Sequence, residues 1–344
     1  MPYIQDLSRN IAELGFLTTM IGNSVLIYLT GWMTKQIQGT YKYMIIIFAG
    51  LGISFSLVEM MARPFVHSYN GAFVYFSLAK EISGFINVVT FLLASYAGIY
   101  ATLISFVAVQ FIYRYWVLNN QDLLMLMFKG YRVSIWVVYA LFFGALWTFL
   151  CFFCGTFDEY TMGYIRDEMK RVYDMNATDI AGIVIVAYEP VPGDRNQIQL
   201  RKKSALFWCG TVFILLFQYI IMVFCGTSMH LQMAEKLKLF SITHQRLQKQ
   251  FFKTLICQIT VPTVLFHLPI VPVLTAPFLN LTISFQSGII YSFFSLYPPI
   301  DSFILMYIVS DYRAALSKLV SRNRQVGGVG TTYVSTHVSV RAIT

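Results

Sequence analysis

Few residues in this chain have both the type and the setting to do chemistry. Asp301 stands in Tyr297-Pro298-Pro299-Ile300-Asp301, inside an apolar run long enough for a helix. A carboxylate at that depth is expensive and turns towards protein rather than lipid. The two prolines free backbone groups that neighbouring helices must satisfy. Asn23, midway along the first apolar run, is the expected partner. Their contact has two readings: a switch that rearranges between bundle states, or a static hydrogen bond that orders the last helix.

Glu59 and Arg63 stand at i, i+4, the spacing of an intrahelical ion pair. Arg114, in Tyr113-Arg114-Tyr115-Trp116, closes the third apolar run. It reads either as a basic anchor in an aromatic belt or as a side chain that packs inward and later meets a cytosolic partner. Lys249 and Lys253 lie at the same membrane side. Pro262, Pro269 and Pro272 crowd one run, and kinks have local causes of this kind; Pro269 is the expected hinge. At the opposite end of the runs, Asn87, Phe91, Ser95, Thr211, Phe266, His267, Phe285 and Tyr291 can wall a cavity for a small, mostly apolar ligand. Each of them alone also reads as helix packing.

Enzyme motifs are absent: there is no H-E-x-x-H, no phosphate-binding G-x-x-x-x-G-K-[ST] loop, no G-x-S-x-G elbow and no paired carboxylates on one helical face. Five histidines and five cysteines show no metal spacing, so neither a metal nor a cofactor is expected. Cys151 and Cys154 share a helix face near Cys209; burial as small apolar residues and a disulfide to Cys209 are both open.

The elements that must position these residues follow from composition. Of 344 residues, 57% are hydrophobic and 12% charged. Soluble domains carry about 25% charged residues, so the chain is read as an all-α membrane protein. Seven runs reach the roughly 20 residues a span requires, at about 11–31, 43–63, 85–112, 133–154, 207–229, 255–276 and 286–309. The first lacks an A-x-A-like cleavage site and is expected to stay as a span. The net charge of +9 is dispersed among the spans, which argues for juxtamembrane placement rather than nucleic-acid binding. With the N-terminus outside, the inner segments hold 15 basic residues against Asp122, Glu235 and Asp311, while the outer segments balance ten against ten. That asymmetry places the N-terminus outside and the C-terminus inside.

Residues 1–309 form the expected bundle and 310–344 a cytoplasmic tail. The one long outer loop, about 155–206, has a short charged helix at Thr161 to Val172, a strand at Ile183 to Tyr188 and a turn at Pro190-Val191-Pro192-Gly193. Asn176-Ala177-Thr178 is an acceptor sequon for glycosylation, and Asn280-Leu281-Thr282 another close to the membrane. Runs five and six are expected to project inside, turning at Ser241-Ile242-Thr243. After run seven, Tyr312, Ala315, Leu316, Leu319 and Val320 form one apolar face of a short amphipathic helix on the inner leaflet. From Asn323 onward the composition suggests disorder, with serines and threonines open to phosphorylation.

The order of local motifs resembles the nematode class r serpentine receptors, the Str family of chemosensory receptors. Gly39-Thr40-Tyr41-Lys42-Tyr43, Arg63-Pro64-Phe65-Val66-His67, Tyr113-Arg114-Tyr115-Trp116 and Leu247-Gln248-Lys249-Gln250-Phe251-Phe252-Lys253 carry the likeness. So do Pro262-Thr263, Ala276-Pro277-Phe278, and Tyr297-Pro298-Pro299-Ile300-Asp301 with Asp311-Tyr312-Arg313. The resemblance implies a seven-helix G-protein-coupled chemoreceptor for odorant-like ligands, placed in the plasma membrane of sensory cilia. Its implied partners are a small molecule, a heterotrimeric G protein and membrane lipid. It assigns Arg114 to the G-protein side and Asp301 to conformational change. A ligand-gated channel or transporter is the alternative. The chain departs from the broader rhodopsin-like pattern: Tyr113 replaces the acid before the arginine, no cysteine tops span three, and proline precedes Asp301.

Overall fold

The structure is a computed structural model that describes residues 2–34, 37, 39–78, 85–119, 121–155, 157–279, 281 and 284–327. Seven helices among them are long and apolar enough to cross a membrane: Tyr3–Met33, Thr40–Ala62, Ile86–Asn119, Gly130–Cys154, Lys202–Lys236, Ile242–Leu279 and Gly288–Ile308. The seven-helix class expected from the sequence is borne out. The charge asymmetry names the two ends, the basic one being inner.

In chain order, α1 (Pro2–Tyr28) ends in a widened turn at Leu29–Met33, and α2 (Thr40–Ala62) stops at Arg63, whose φ of 43° is left-handed. The expected ion pair gives way here. Glu59 turns into the bundle, 3% exposed, and accepts hydrogen bonds from Tyr96 and Ser295 instead. Strands β1 (Pro64–Tyr69) and β2 (Ala72–Ser77) then form a hairpin that run lengths alone had not suggested. Asn70, at φ 48°, makes the two-residue turn with Gly71.

The third span, α3 (Ile86–Asn119), is the axis of the bundle; 78% of its most apolar window is buried. After a short α4 (Gln121–Met127), α5 (Val133–Cys154) lies along it. Their approach is set by two matching pairs. A Cβ on Gly98 would lie 1.9 Å from Thr148 Oγ1, and one on Gly144 would lie 1.9 Å from Thr102 Oγ1. Each threonine hydroxyl returns to the glycine carbonyl one turn back, at 3.0 Å. This is the small-residue packing of membrane helices, where close backbone contact replaces hydrophobic drive.

The long outer loop folds into α6 (Glu159–Tyr173), β3 (Gly182–Val186), and the hairpin β4 (Tyr188–Val191) and β5 (Asp194–Leu200). The expected helix, strand and turn are all present, with Gly193 at φ 95° in the turn. Asp158 and Thr161 close a reciprocal capping box at the start of α6. The segment between spans six and seven adds β6 (Ser284–Phe285), giving a four-stranded sheet in the order β3-β2-β1-β6.

Strand side chains alternate faces. Val66, Phe73, Tyr75, Ile183 and Ile185 point into the bundle core, whereas Phe65, Val74, Phe76 and Val184 pack under Ile165 and Met169 of α6. The sheet therefore lies between the helices and an outer cap, buried on both faces.

The fifth span is α7 (Lys202–Lys236), and α8 (Ile242–Pro262) begins the sixth, with Ser241 capping it where the inner turn was expected. The sixth span continues through a widened π-turn at Thr263–His267 into α9 (Leu268–Thr275). The seventh comprises α10 (Gly288–Ser292), a tighter turn at Phe293–Leu296 and α11 (Tyr297–Ile308). Last, α12 (Ser310–Gly327) runs past Asn323, further than composition suggested. Its apolar face docks on the bundle: Tyr312 is fully buried, and its hydroxyl lies 2.8 Å from that of Thr30.

All five cysteines are free, with Cys209 exposed, so no disulfide joins it to Cys151 or Cys154. Asn280, Lys35 and the tail from 328 to 344 lie outside the described residues.

Candidate functional site

Beneath the sheet, a cavity of about 80 Å³ sits among spans three to seven. Tyr96 and Tyr100 of α3, Trp147 of α5, Phe207 and Thr211 of α7, and Tyr291 and Phe294 of the seventh span wall it. Tyr75 and Ile183 of the sheet form its roof, and His267 reaches it from the π-turn. Among the described residues, no Asp, Glu, Lys or Arg lines it.

Of the eight residues expected to wall a cavity, Thr211, His267 and Tyr291 do so. Phe266 lies just outside it, fully packed, with its ring 5.2 Å from that of Phe294. Asn87, Phe91 and Ser95 do not face the cavity. Asn87 is exposed, and Phe91 and Ser95 line an open lateral groove between α3 and α5. Phe285 belongs to β6, paired with Ser68. The error is one of helical phase: Asn87, Phe91 and Ser95 share a stripe, but Tyr96 and Tyr100 hold the inward one. The available signal was Gly98 and Thr102 matched with Gly144 and Thr148, which marks the side of α3 that packs on α5.

His267 binds with both ring nitrogens. Nε2 lies 2.8 Å from the Tyr100 hydroxyl and Nδ1 2.8 Å from that of Tyr219, which in turn meets Thr263 Oγ1 at 2.6 Å. The cavity floor is thus wired through spans three and five to both ends of the π-turn. Proline explains that turn. Pro262 and Pro269 flank it, and each lacks the N–H that an α-helical ladder needs.

Deeper in, the expected Asn23–Asp301 contact is replaced by two others. Asn23 donates to the Ala49 carbonyl at 2.9 Å and accepts from Ser302 at 2.5 Å. Asp301 Oδ2 accepts from Gln258 Nε2 of the sixth span at 2.9 Å, and Oδ1 has no hydrogen-bond partner. One residue along α11 turns the side chain to a different neighbour, which is why Ser302 takes Asn23.

At the inner end Arg114 packs inward, 5% exposed. Its guanidinium carbon lies 3.4 Å from the ring centre of Tyr41 and 3.9 Å from that of Phe251. One nitrogen donates to Gln248 at 2.9 Å, while Nε and the other terminal nitrogen have no partner. Lys249 and Lys253 are exposed on the same helix. Tyr41, Gln248 and Phe251 carry the family likeness, but neither they as partners of Arg114 nor Gln258 as the partner of Asp301 follow from sequence, because nothing local marks an aromatic or a glutamine as the partner of a distant charge.

The outer cap is closed by a polar cluster. His67 Nε2 donates to Glu168 Oε1 at 3.1 Å, and Nδ1 accepts from Tyr173 at 3.2 Å. Ser284 adds a second bond to Glu168 at 2.7 Å, and Arg171 grips Oε2 at 2.5 Å. Burial pushes the His67 pKa down, with Glu168 opposing. Burial alone would push the Glu168 carboxyl up, but its bonds from Arg171, Ser284 and His67 hold it below the usual range. Asn176 is exposed on the same cap.

The comparisons with known proteins agree with this architecture. The sequence profile described as the serpentine type 7TM GPCR chemoreceptor Str matches residues 8–317. The chain is 56% identical over 316 residues to the G-protein coupled receptor str-33 of Caenorhabditis elegans, covering 92% of this chain and 91% of that one. It is 27% identical over 303 residues to serpentine receptor class r-10 of Caenorhabditis elegans, covering 88% and 87%. Squid rhodopsin has a similar fold, with a TM-score of 0.55 at 16% identity over 94% of this chain and 87% of that one. With its motifs, its seven spans and these relatives in agreement, the chain belongs to the Str family of serpentine seven-transmembrane chemoreceptors, a family of multi-pass membrane receptors and not of enzymes.

Proposed function

We propose that this receptor binds a small, uncharged, mostly apolar odorant in the cavity beneath the sheet and activates a heterotrimeric G protein at its inner face. The observation that carries the reading is the cavity's connection to the sixth span. His267 belongs at once to the cavity wall and to the π-turn, so a ligand that moves it acts on the weakest point of that helix.

The cavity's size limits the ligand. An empty apolar cavity of about 150 Å³ holds benzene, so about 80 Å³ suits a smaller molecule. Apolar contact drives its entry, and the tyrosine hydroxyls supply orientation. To signal, it must bind one bundle state better than the other, since equal affinity shifts nothing. The favoured state is one with the inner part of the sixth span swung outward. Arg114 then leaves Tyr41 and Phe251 and, with Lys249 and Lys253, meets the G protein. Asp301, Asn23 and Pro269 are the proposed conformational residues. Asn176 is the proposed glycosylation site, and the plasma membrane of sensory cilia the proposed location.

The test is a panel of small volatiles in cells carrying a G-protein dissociation sensor, with surface delivery read by an N-terminal tag on intact cells. Ala97 of α3 also lines the cavity; Ala97→Phe fills it and is expected to abolish the response at equal surface tag. Arg114→Ala is expected to abolish dissociation while leaving ligand binding. An unchanged response in Ala97→Phe overturns the cavity assignment. A ligand-evoked current without dissociation moves the reading to a ligand-gated channel.

A further inference from the structure

A second cavity, of about 160 Å³, opens between the first helix and the outer ends of spans two and seven. Unlike the aromatic one, its walls are charged: Asp6, Arg9 and Glu13 from one face of α1, Glu59 and Arg63 from the last turn of α2, with Ser292 opposite. Arg9 faces Asp6 at 3.8 Å and Glu13 at 3.7 Å, both pairs in solvent. Three carboxylates therefore meet two guanidiniums among the described residues.

Glu59 sets this cavity apart from an ordinary polar crevice. It is 97% removed from solvent. Its Oε1 is doubly held, by Ser295 at 2.5 Å and Tyr96 at 3.2 Å, yet Oε2 has no hydrogen-bond partner. Two donors on one oxygen fix the carboxylate in place. Leaving the other oxygen bare is costly, and a charge-assisted donor is the natural way to satisfy it. Below this level the helices close up: a Cβ on Gly15 would stand 2.7 Å from Ser295. The cavity is thus blind-ended, with Glu59 at its base.

We infer that this vestibule is a binding site for a small monovalent cation, a primary ammonium or an inorganic ion, that binds the bare Oε2 of Glu59. The site is separate from the aromatic cavity but shares a wall with it. Tyr96 lines the aromatic cavity with its ring and holds Glu59 with its hydroxyl. A cation at Glu59 competes for the electrons that the tyrosine hydroxyl uses, so occupancy of the vestibule changes the affinity of the aromatic cavity. Linkage makes the effect reciprocal and equal in both directions.

The test uses the full chain in lipid nanodiscs and reads melting temperature, which needs no signalling and so fails independently of the receptor reading. Methylammonium chloride is titrated against sodium chloride and tetraethylammonium chloride at matched ionic strength. Tetraethylammonium carries charge without an N–H donor and is too bulky for the site. Methylammonium is expected to raise the melting temperature with saturation, as a ligand of the native state does, and tetraethylammonium to give no such rise. A saturating rise with sodium as well assigns the site to inorganic monovalent cations in addition. Glu59→Gln is expected to weaken the effect by roughly tenfold or more. Ala12→Leu, which fills the cavity from α1 and leaves Glu59 untouched, is expected to remove it even if Glu59→Gln folds poorly. Equal melting temperatures in all three salts, or a methylammonium shift that survives Ala12→Leu, overturn the inference.

Discussion

Glu168 in the outer cap accepts hydrogen bonds from His67, Ser284 and Arg171, and both ring nitrogens of His67 are engaged. Arg114 at the inner end, equally buried, has one hydrogen bond and two bare nitrogens. Asp301 has one bond and one bare oxygen, and Gln258 Oε1 is bare as well. A fully satisfied buried network specifies one arrangement; a partly satisfied one loses little by rearranging. The cap is thus held in one arrangement, whereas the proposed function has the inner contacts exchange partners. Aromatic faces, rather than a carboxylate, hold Arg114 in place. Such cation–π contacts are worth about 1–2 kcal/mol each, and they do not require the fixed geometry of an ion pair.

The largest break in that contrast comes from the cap. Glu168→Ala removes the acceptor that three donors share and leaves His67 buried beside a void. Losing one partner of a buried pair costs on the order of 3 kcal/mol. The purified receptor is expected to melt markedly lower, with little surface tag in cells; a melting temperature equal to wild type would show that the cap is not a structural lock. Acid probes the same cluster more gently. His67 and Glu168 both have native pKa values below their ordinary 6.5 and 4.5. The native cap therefore binds fewer protons than the unfolded chain, and stability rises with pH. The contribution of His67 is complete above pH 6.5 and is lost as pH falls through its native value; that of Glu168 follows below pH 4.5. A melting series from pH 7.5 to 4.5 is expected to fall, and His67→Gln to flatten it.

The inner end should answer differently. Gln248→Ala removes the one hydrogen bond on Arg114 while keeping both aromatic faces. That bond, to a charged group, is worth about 1.5 kcal/mol, so the equilibrium between resting and active bundles shifts by about tenfold. Basal G-protein dissociation is expected to rise accordingly, with melting temperature nearly unchanged. No rise would mean that Tyr41 and Phe251 alone retain the arginine.

These contrasts were unevenly legible in the sequence. Apolar length marked the seven spans, and Pro192-Gly193 marked the β4–β5 turn, because both signals are local. The hairpin β1–β2 has an Asn70-Gly71 turn, the strongest short hairpin cue, but its strands are buried on both faces and lack the alternation that marks a half-exposed strand. The phase of α3 was misjudged for a related reason. A central helix is apolar all round, so periodicity cannot tell the cavity side from the lipid side, and only the glycine–threonine pairs can. Arg114 could be recognised as important, but its partners come from α2 and α8 and are set by tertiary packing.

The smallest expected effect is also the one that separates the two readings of Asp301. Asn at this position keeps the shape and an oxygen for Gln258 Nε2, and its new N–H₂ can reach toward the bare Gln258 oxygen. A neutral amide pair of this kind differs from the present contact by about 1 kcal/mol or less. Asp301→Asn is therefore expected to leave melting temperature unchanged and to shift the half-maximal odorant concentration by no more than about fivefold. Asp301→Ala leaves Gln258 with no partner and is expected to lose the response at matched surface level. If Asn proves as silent as Ala, hydrogen bonding is not what the active bundle takes from this residue. The proposed switch then turns on the charge of Asp301, and the single bond to Gln258 is what the resting bundle gives up.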